Sequence, residues 1–134
     1  MNGQVPWPAC EDAHMAASLR VEIFPSNHDR TIRFYAGLGF GVTGLSEGPP
    51  AYASLRLGDV RIGVCEADAV ESDRRAIPAG TEIVIEVDDI HACRDDAVAA
   101  GTVLDEDLKE RPWGLIDFRV SDPDGYYLRF TARR

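Results

Sequence analysis

The stretch RPWGLIDFRVSDPDGYYLRF, residues 111–130, decides how this chain is read. Alternation predicts a strand over 113–121, the cluster Asp122-Pro123-Asp124-Gly125 predicts a tight turn, and 126–131 alternates again as a second strand. Side chains two positions apart share a strand face, so Leu128 and Phe130 fall on one side, Tyr127 and Arg129 on the other. The apolar side needs a cover, and the arginine needs an anion or solvent.

The residues upstream supply the cover. Glu82, Val84, Glu86 and Asp88 alternate with Ile83, Ile85 and Val87 as a strand. Asp89 is placed to cap a helix that carries Ile90, Cys93, Ala97 and Ala100 on one side and stops at Gly101. A further strand is predicted near 102–105, and EDLKERP reads as a loop. The order is strand, helix, three strands.

The first half repeats that order. Residues 20–24 alternate and Pro25 ends them; Asn27 is placed to cap a helix with the stripe Thr31, Phe34, Tyr35 and Leu38. GLGFG (37–41) stops the helix and launches a strand around 40–43, SEGPP is a loop, and strands over 51–57 and 60–65 are joined at Gly58-Asp59. Sliding the sequence by 62 residues puts Arg20 on Glu82, Val21 on Ile83, Asn27 on Asp89 and Gly39 on Gly101. In the last strands a slide of 66 puts Val60, Ile62 and Val64 on Tyr126, Leu128 and Phe130.

A repeat of this kind predicts an α+β fold of two βαβββ modules with helices on the outer face. The expectation is that the units curl towards each other, their curved mixed sheets forming a ligand groove, the alternative being a solvated open face. Module one covers about 18–66 and module two about 81–132 of a single domain, 18–132, with a linker at about 67–80 and an irregular lead-in at 1–17 containing Trp7. On the face opposite the helices, alternation places Arg20, Glu22, Phe24, Arg61, Gly63 and Cys65 from the first module. From the second it places Glu82, Val84, Glu86, Asp117, Arg119, Tyr127 and Arg129.

Bulk properties narrow the function. At 134 residues, 45% hydrophobic and 28% charged, the chain has the composition of one soluble globular domain. No apolar run approaches the ~20 residues that cross a bilayer and no apolar leader opens the chain, so a cytoplasmic protein with no membrane partner is expected. The formal charge of -9 is uneven: the first 67 residues carry 7 acidic and 5 basic side chains, the rest 16 and 9. Nucleic acid is disfavoured as a partner and a cationic small molecule favoured. Cys10, Cys65 and Cys93 give neither a CxxC pair nor a disulfide framework, and Cys65 has no histidine placed to activate it. His14, His28 and His91 form no ligand cluster and read as surface residues.

The pieces NHDRTIRFYAGLGFGV, IVIEVDDIHACRDDAVAAG and RPWGLIDFRVSDPDGYYLRF resemble the vicinal-oxygen-chelate superfamily, which includes glyoxalase I, extradiol dioxygenases, fosfomycin-modifying enzymes and bleomycin-resistance proteins. FYAGLGF and DPDGYYLRF are specific in combination, the resemblance covers about 18–132, and RPWG looks most like the bleomycin-resistance branch. It implies paired βαβββ units and, in the enzymes, a divalent metal held by histidine, glutamine or glutamate from the first and last strands. The matching positions here are Arg20, Gly63, Glu82 and Arg129. A guanidinium has donors and no acceptor, and glycine has no side chain, so neither a metal nor another cofactor is expected.

The resemblance therefore implies a homodimeric, metal-free protein that binds and sequesters an aromatic or cationic natural product, conferring antibiotic resistance. The candidate ligand-binding residues are Arg20, Phe24, Glu82, Glu86, Trp113, Asp117, Arg119, Tyr127 and Arg129, with no catalytic residue assigned. Arg129 has two readings, an internal salt bridge to Glu82, Glu86 or Asp117 and a grip on a ligand carboxylate or phenolate. The alternatives are a lyase, isomerase or dioxygenase working through Glu82, Glu86 or Tyr127, and an accessory binding protein of a biosynthetic pathway.

Overall fold

Ten elements follow the repeated order in the computed structural model, which describes residues 18–66 and 81–133. The first unit contains β1 (Val21–Ile23), α1 (His28–Gly37), β2 (Gly41–Ser46), β3 (Tyr52–Leu57) and β4 (Val60–Cys65). The second contains β5 (Ile83–Val87), α2 (Ile90–Ala99), β6 (Glu106–Glu110), β7 (Ile116–Ser121) and β8 (Tyr127–Ala132). The expected lead-in with Trp7, Cys10 and His14, and the linker 67–80, lie outside the described residues. Among the described residues no helix is long and apolar enough to cross a membrane.

Both helices begin where their caps were expected. The Asn27 side chain accepts from the Arg30 N–H and the Asp89 side chain from the Ala92 N–H, each relieving one of the unpaired donors of the first turn. Gly39 and Gly101 follow the helix ends at φ of 103° and 91°, in a region that favours glycine.

Each unit forms its own four-stranded sheet, in the orders β1-β4-β3-β2 and β5-β8-β7-β6. The parallel pairings share one register: Val21 lies opposite Ile62 and Ile23 opposite Val64, while Ile83 lies opposite Leu128 and Ile85 opposite Phe130. Those pairs map onto one another under the two sequence offsets, so the repeat holds at the level of individual residues. The alternation sends Ile23, Leu55, Ile62 and Val64, and likewise Ile85, Phe118, Val120, Leu128 and Phe130, to the buried side. There Phe118 and Phe130 stack at 5.1 Å, and Tyr35 meets Phe34 and Phe40 edge to face.

Three expectations need correction. The strand near 102–105 is absent; β6 is instead built from EDLKE, with a register shift between Glu106 and Lys109. An exposed edge strand with a bulge needs no apolar alternation, so its signal resembles a loop.

His28 is not a free surface histidine. It is part-buried, and its Nε2 lies 3.0 Å from the Val64 carbonyl, to which it donates.

The third correction concerns the fold itself: the two sheets are not curved or closed into a groove. The units meet through their helix-bearing sides, where Tyr35 Oη donates to Asp122 Oδ2 at 2.9 Å and the Ser26 N–H donates to Asp124 Oδ2 at 3.1 Å. Gly37 of α1 comes so close to Ala100 and Thr102 that a Cβ there would lie 3.3 Å from Ala100 Cβ. One apolar core spans both units. With the helix-bearing sides joined, the helix-free faces remain open and do not wall a common groove.

Candidate functional site

The open face of the second sheet carries an arginine-carboxylate network built by strand alternation. Asp117 of β7 is fully buried and accepts from Arg111 Nε at 3.0 Å and Arg111 Nη2 at 2.8 Å. Arg119 Nε stands 3.5 Å from Asp117 Oδ1, and Arg129 Nη1 stands 3.9 Å from Asp117 Oδ2. Arg129 Nε lies 3.1 Å from Glu82 Oε1, which draws β8 and β5 together across their parallel pairing. The Arg129 guanidinium sits 5.7 Å from the centroid of Trp113, a cation–π contact.

Arg111 also pairs with Glu106 Oε2 at 3.0 Å. That hydrogen bond, aided by the charges of Arg111, Arg119 and Lys109, holds the Glu106 carboxyl below the ordinary range. A lowered carboxylate contributes stability that is present above its unfolded pKa and lost as pH falls through the folded one. Acid titration of thermal unfolding should therefore show a smaller loss below the ordinary carboxylate range in Glu106→Gln than in the wild type. Equal losses would mean that this pair contributes nothing.

The first sheet has a smaller network. Arg20 Nε lies 3.0 Å from Glu22 Oε2, and Tyr52 Oη donates to the same oxygen at 3.1 Å. Burial, then this hydrogen bond, raises the Tyr52 phenol above its ordinary range. The Glu22 carboxylate and Tyr52 hydroxyl lie directly over Gly63, in space that any Cβ at that position would occupy.

These contacts test the four positions at which the enzymes would bind a metal. Arg20 is tied to Glu22, Gly63 is covered, and Glu82 is paired with Arg129. Two guanidiniums, a glycine and one neutralised carboxylate do not fit a divalent cation. Among the described residues no group of three or more histidine, cysteine or acidic side chains is placed to hold one.

Between the sheets lies a cavity of about 930 Å³, within the size range of small-molecule sites. It forms where β1 and β5, each the edge strand of its sheet, face one another. Equivalent positions of the two units line it: Val21 and Ile83, Val60 and Tyr126, Arg61 and Tyr127. Val84 and Ile85 extend the apolar wall, and Glu22, Glu82 and Asp59 bring carboxylates to it.

The nine candidate residues therefore divide. Glu82 and Tyr127 line the cavity. Asp117, Arg119, Arg129 and Trp113 stand beside them in the open-face network, joined through the Glu82–Arg129 pair and through Arg119 Nη1, which donates to Tyr127 Oη at 3.4 Å. Arg20 belongs to the first sheet's network. The Phe24 N–H donates to Tyr126 Oη at 3.2 Å, and the Phe24 side chain is half-exposed. Glu86 is exposed on β5, in register with Thr131 and outside the cavity wall.

Of the partners considered for Arg129, Glu82 and Asp117 are the ones it meets. The residues missed were Arg111 and Glu106, hidden in the segment read as a loop, and the aliphatic wall of the cavity. No sequence signal marked the wall: most of its aliphatic residues lie on the edge strands β1 and β5, open on one flank whichever face they occupy, and alternation does not show which strands are edges.

A family model described as the Glyoxalase/Bleomycin resistance protein/Dioxygenase superfamily matches residues 15–130. The fold is similar to that of a bleomycin-binding protein solved in complex with bleomycin, at 18% identity and a TM-score of 0.70, covering 89% of this chain and 100% of that one. It is similar to a bleomycin resistance determinant encoded on the transposon Tn5, at 18% identity and 0.72, covering 89% and 99%. A glyoxalase/bleomycin resistance protein/dioxygenase from Alicyclobacillus acidocaldarius gives 18% and 0.71, covering 87% and 90%. A search of curated proteins found no match. At these identities the likeness concerns the fold.

Proposed function

The chain belongs to the glyoxalase/bleomycin resistance protein/dioxygenase superfamily, and from that premise we propose that it sequesters an antibiotic-like small molecule with an apolar, aromatic body, without a metal and without turnover. The observation that carries this reading is the cavity between β1 and β5, large enough for such a molecule and lined mainly by aliphatic and aromatic side chains. Of the four positions that would bind a metal in the enzymes, three hold arginine or glycine, which cannot, and the fourth, Glu82, is paired with Arg129. Likeness in fold to a protein solved with bleomycin bound supports the same direction.

Sequestration requires only that the protein be abundant and its dissociation constant lie below the toxic concentration, since capture removes one ligand per site. Flat aromatic guests gain from Tyr126 and Tyr127 in the wall, and from Trp113 if they extend across the open face. Active-site chemistry is not needed at any step.

The functional unit in this reading is a homodimer. Phe24, Val84 and Trp113 are each exposed by more than two fifths, and a second copy covering the open faces would remove them from water. Sedimentation equilibrium should give twice the chain mass; a monomer throughout would remove this part of the proposal.

A screen of glycopeptide, quinone and polycyclic antibiotics by quenching of tryptophan fluorescence, with mass analysis of the recovered compound, tests the function. The expected result is one or more tight binders returned unaltered, and raised resistance to those compounds in cells expressing the protein. Recovery of a chemically changed compound would replace sequestration by catalysis.

A further inference from the structure

The charges around the cavity do not balance, and the imbalance bears on the ligand. Three carboxylates reach the cavity, and each has its own arginine: Glu22 with Arg20 at 3.0 Å, Glu82 with Arg129 at 3.1 Å, and Asp59 with Arg56 at 3.5 Å. The fourth charged group, Arg61, has none. Its Nη2 donates to Ser18 Oγ at 2.9 Å and to the Leu19 carbonyl at 3.2 Å, both neutral acceptors, and among the described residues it pairs with no carboxylate.

Register sharpens the point. Arg61 of β4 lies directly opposite Arg56 of β3, a like-charge pair in which Asp59 offsets Arg56 and, among the described residues, no carboxylate offsets Arg61. Among the hydroxyl groups in the wall, Tyr127 Oη accepts from Arg119 and keeps its own proton to give. The chain as a whole is acidic, yet among the described residues the charge left uncompensated in this cavity is positive.

We infer that the ligand carries an anionic group, a carboxylate, sulfonate or phenolate on its apolar body, and that Arg61 holds it. This rests on the cavity being the binding site. It reverses the preference for a cation that the net charge suggests, because the nearby carboxylates are already neutralised and a distant charge is screened beyond about 10 Å.

Two fluorescent probes with the same rings separate the inference from its premise: 8-anilinonaphthalene-1-sulfonate, and N-phenyl-1-naphthylamine, which lacks the sulfonate. Both should bind the wild type. Arg61→Gln should weaken the sulfonate about tenfold, the effect of losing one charge-assisted hydrogen bond, and leave the neutral probe unchanged; Arg61→Lys should restore most of the loss. In the wild type, rising ionic strength should weaken only the sulfonate, which keeps the test alive if Arg61→Gln does not fold. Equal affinity of wild type and Arg61→Gln for the sulfonate, or sulfonate binding insensitive to salt, would overturn the anionic ligand while leaving the cavity as the site. Failure of both probes to bind the wild type would overturn both readings.

Discussion

Asp117→Ala is expected to destabilise the protein by about 3–5 kcal/mol, the range for removing one partner of a buried ion pair. The Asp117 side chain is fully buried and the Arg111 side chain is only 10% exposed, so water cannot replace the lost carboxylate at Arg111. Arg119 and Arg129 lose the same anion, leaving three guanidiniums facing Glu82 and Glu106 alone. Urea unfolding of wild type, Asp117→Ala and Asp117→Asn would measure it. The asparagine keeps an oxygen for Arg111 and loses the charge, so it should fall between the other two. A change within about 0.5 kcal/mol for alanine, typical of an exposed position, would show that the network is solvated and does not organise this face.

A comparable loss, about 3 kcal/mol, is expected for Asp122→Ala. Asp122 Oδ1 accepts from the Asp124 N–H at 2.8 Å and the Tyr126 N–H at 3.0 Å, and Oδ2 accepts from Tyr35 Oη at 2.9 Å. Removing the carboxylate strands three donors in or near the core, each costing roughly 1–3 kcal/mol if left unsatisfied, less where water enters. It also cuts the hydrogen bond that joins α1 to the β7–β8 turn. Burial raises the Asp122 carboxyl above the ordinary range, opposed by the backbone N–H groups of Tyr126 and Asp124. A carboxyl raised on folding contributes stability that is complete below the unfolded pKa and lost as pH rises through the folded one. Wild type should therefore lose an increment of stability just above the ordinary carboxylate range, and Asp122→Asn, which can keep the turn's hydrogen bonds, should not. The same pH profile in both proteins would remove Asp122 as the source.

The repeat was legible in the sequence because each unit's strands show period two and each helix a period near three and four. The two offsets aligned Val21 with Ile83 and Ile62 with Leu128, and the parallel partners Val21–Ile62 of the first sheet and Ile83–Leu128 of the second stand in the same register. The caps Asn27 and Asp89 were legible for a local reason: a short polar side chain just before an apolar stripe has a donor waiting one turn ahead. Alternation also assigned Asp117, Arg119 and Arg129 to one face, where they form one network.

How the units join was not legible. Periodicity tells which side of a strand a residue occupies, but not which sides of two sheets are pressed together. That choice is made by contacts distant in sequence, such as Tyr35 with Asp122 and Ser26 with Asp124. The expected groove failed there, since the joined sides are the helix-bearing ones. The cavity went unseen for a related reason: it is defined by the spacing of two strand edges, and an edge has no periodic signature. His28 was misread because its partner is a main-chain carbonyl of β4, which no side-chain pattern can reveal.

Titration of the tightest-binding compound from the antibiotic screen, in excess chelator, into wild type and Val84→Trp tests the central claim most directly. Val84 lines the cavity and is 42% exposed, so an indole there obstructs the space with little burden on the core. The account predicts undiminished wild-type binding in chelator, one ligand per site, and at least tenfold weaker binding by the variant. Binding that vanishes with chelator, or that persists unchanged in Val84→Trp, would contradict it.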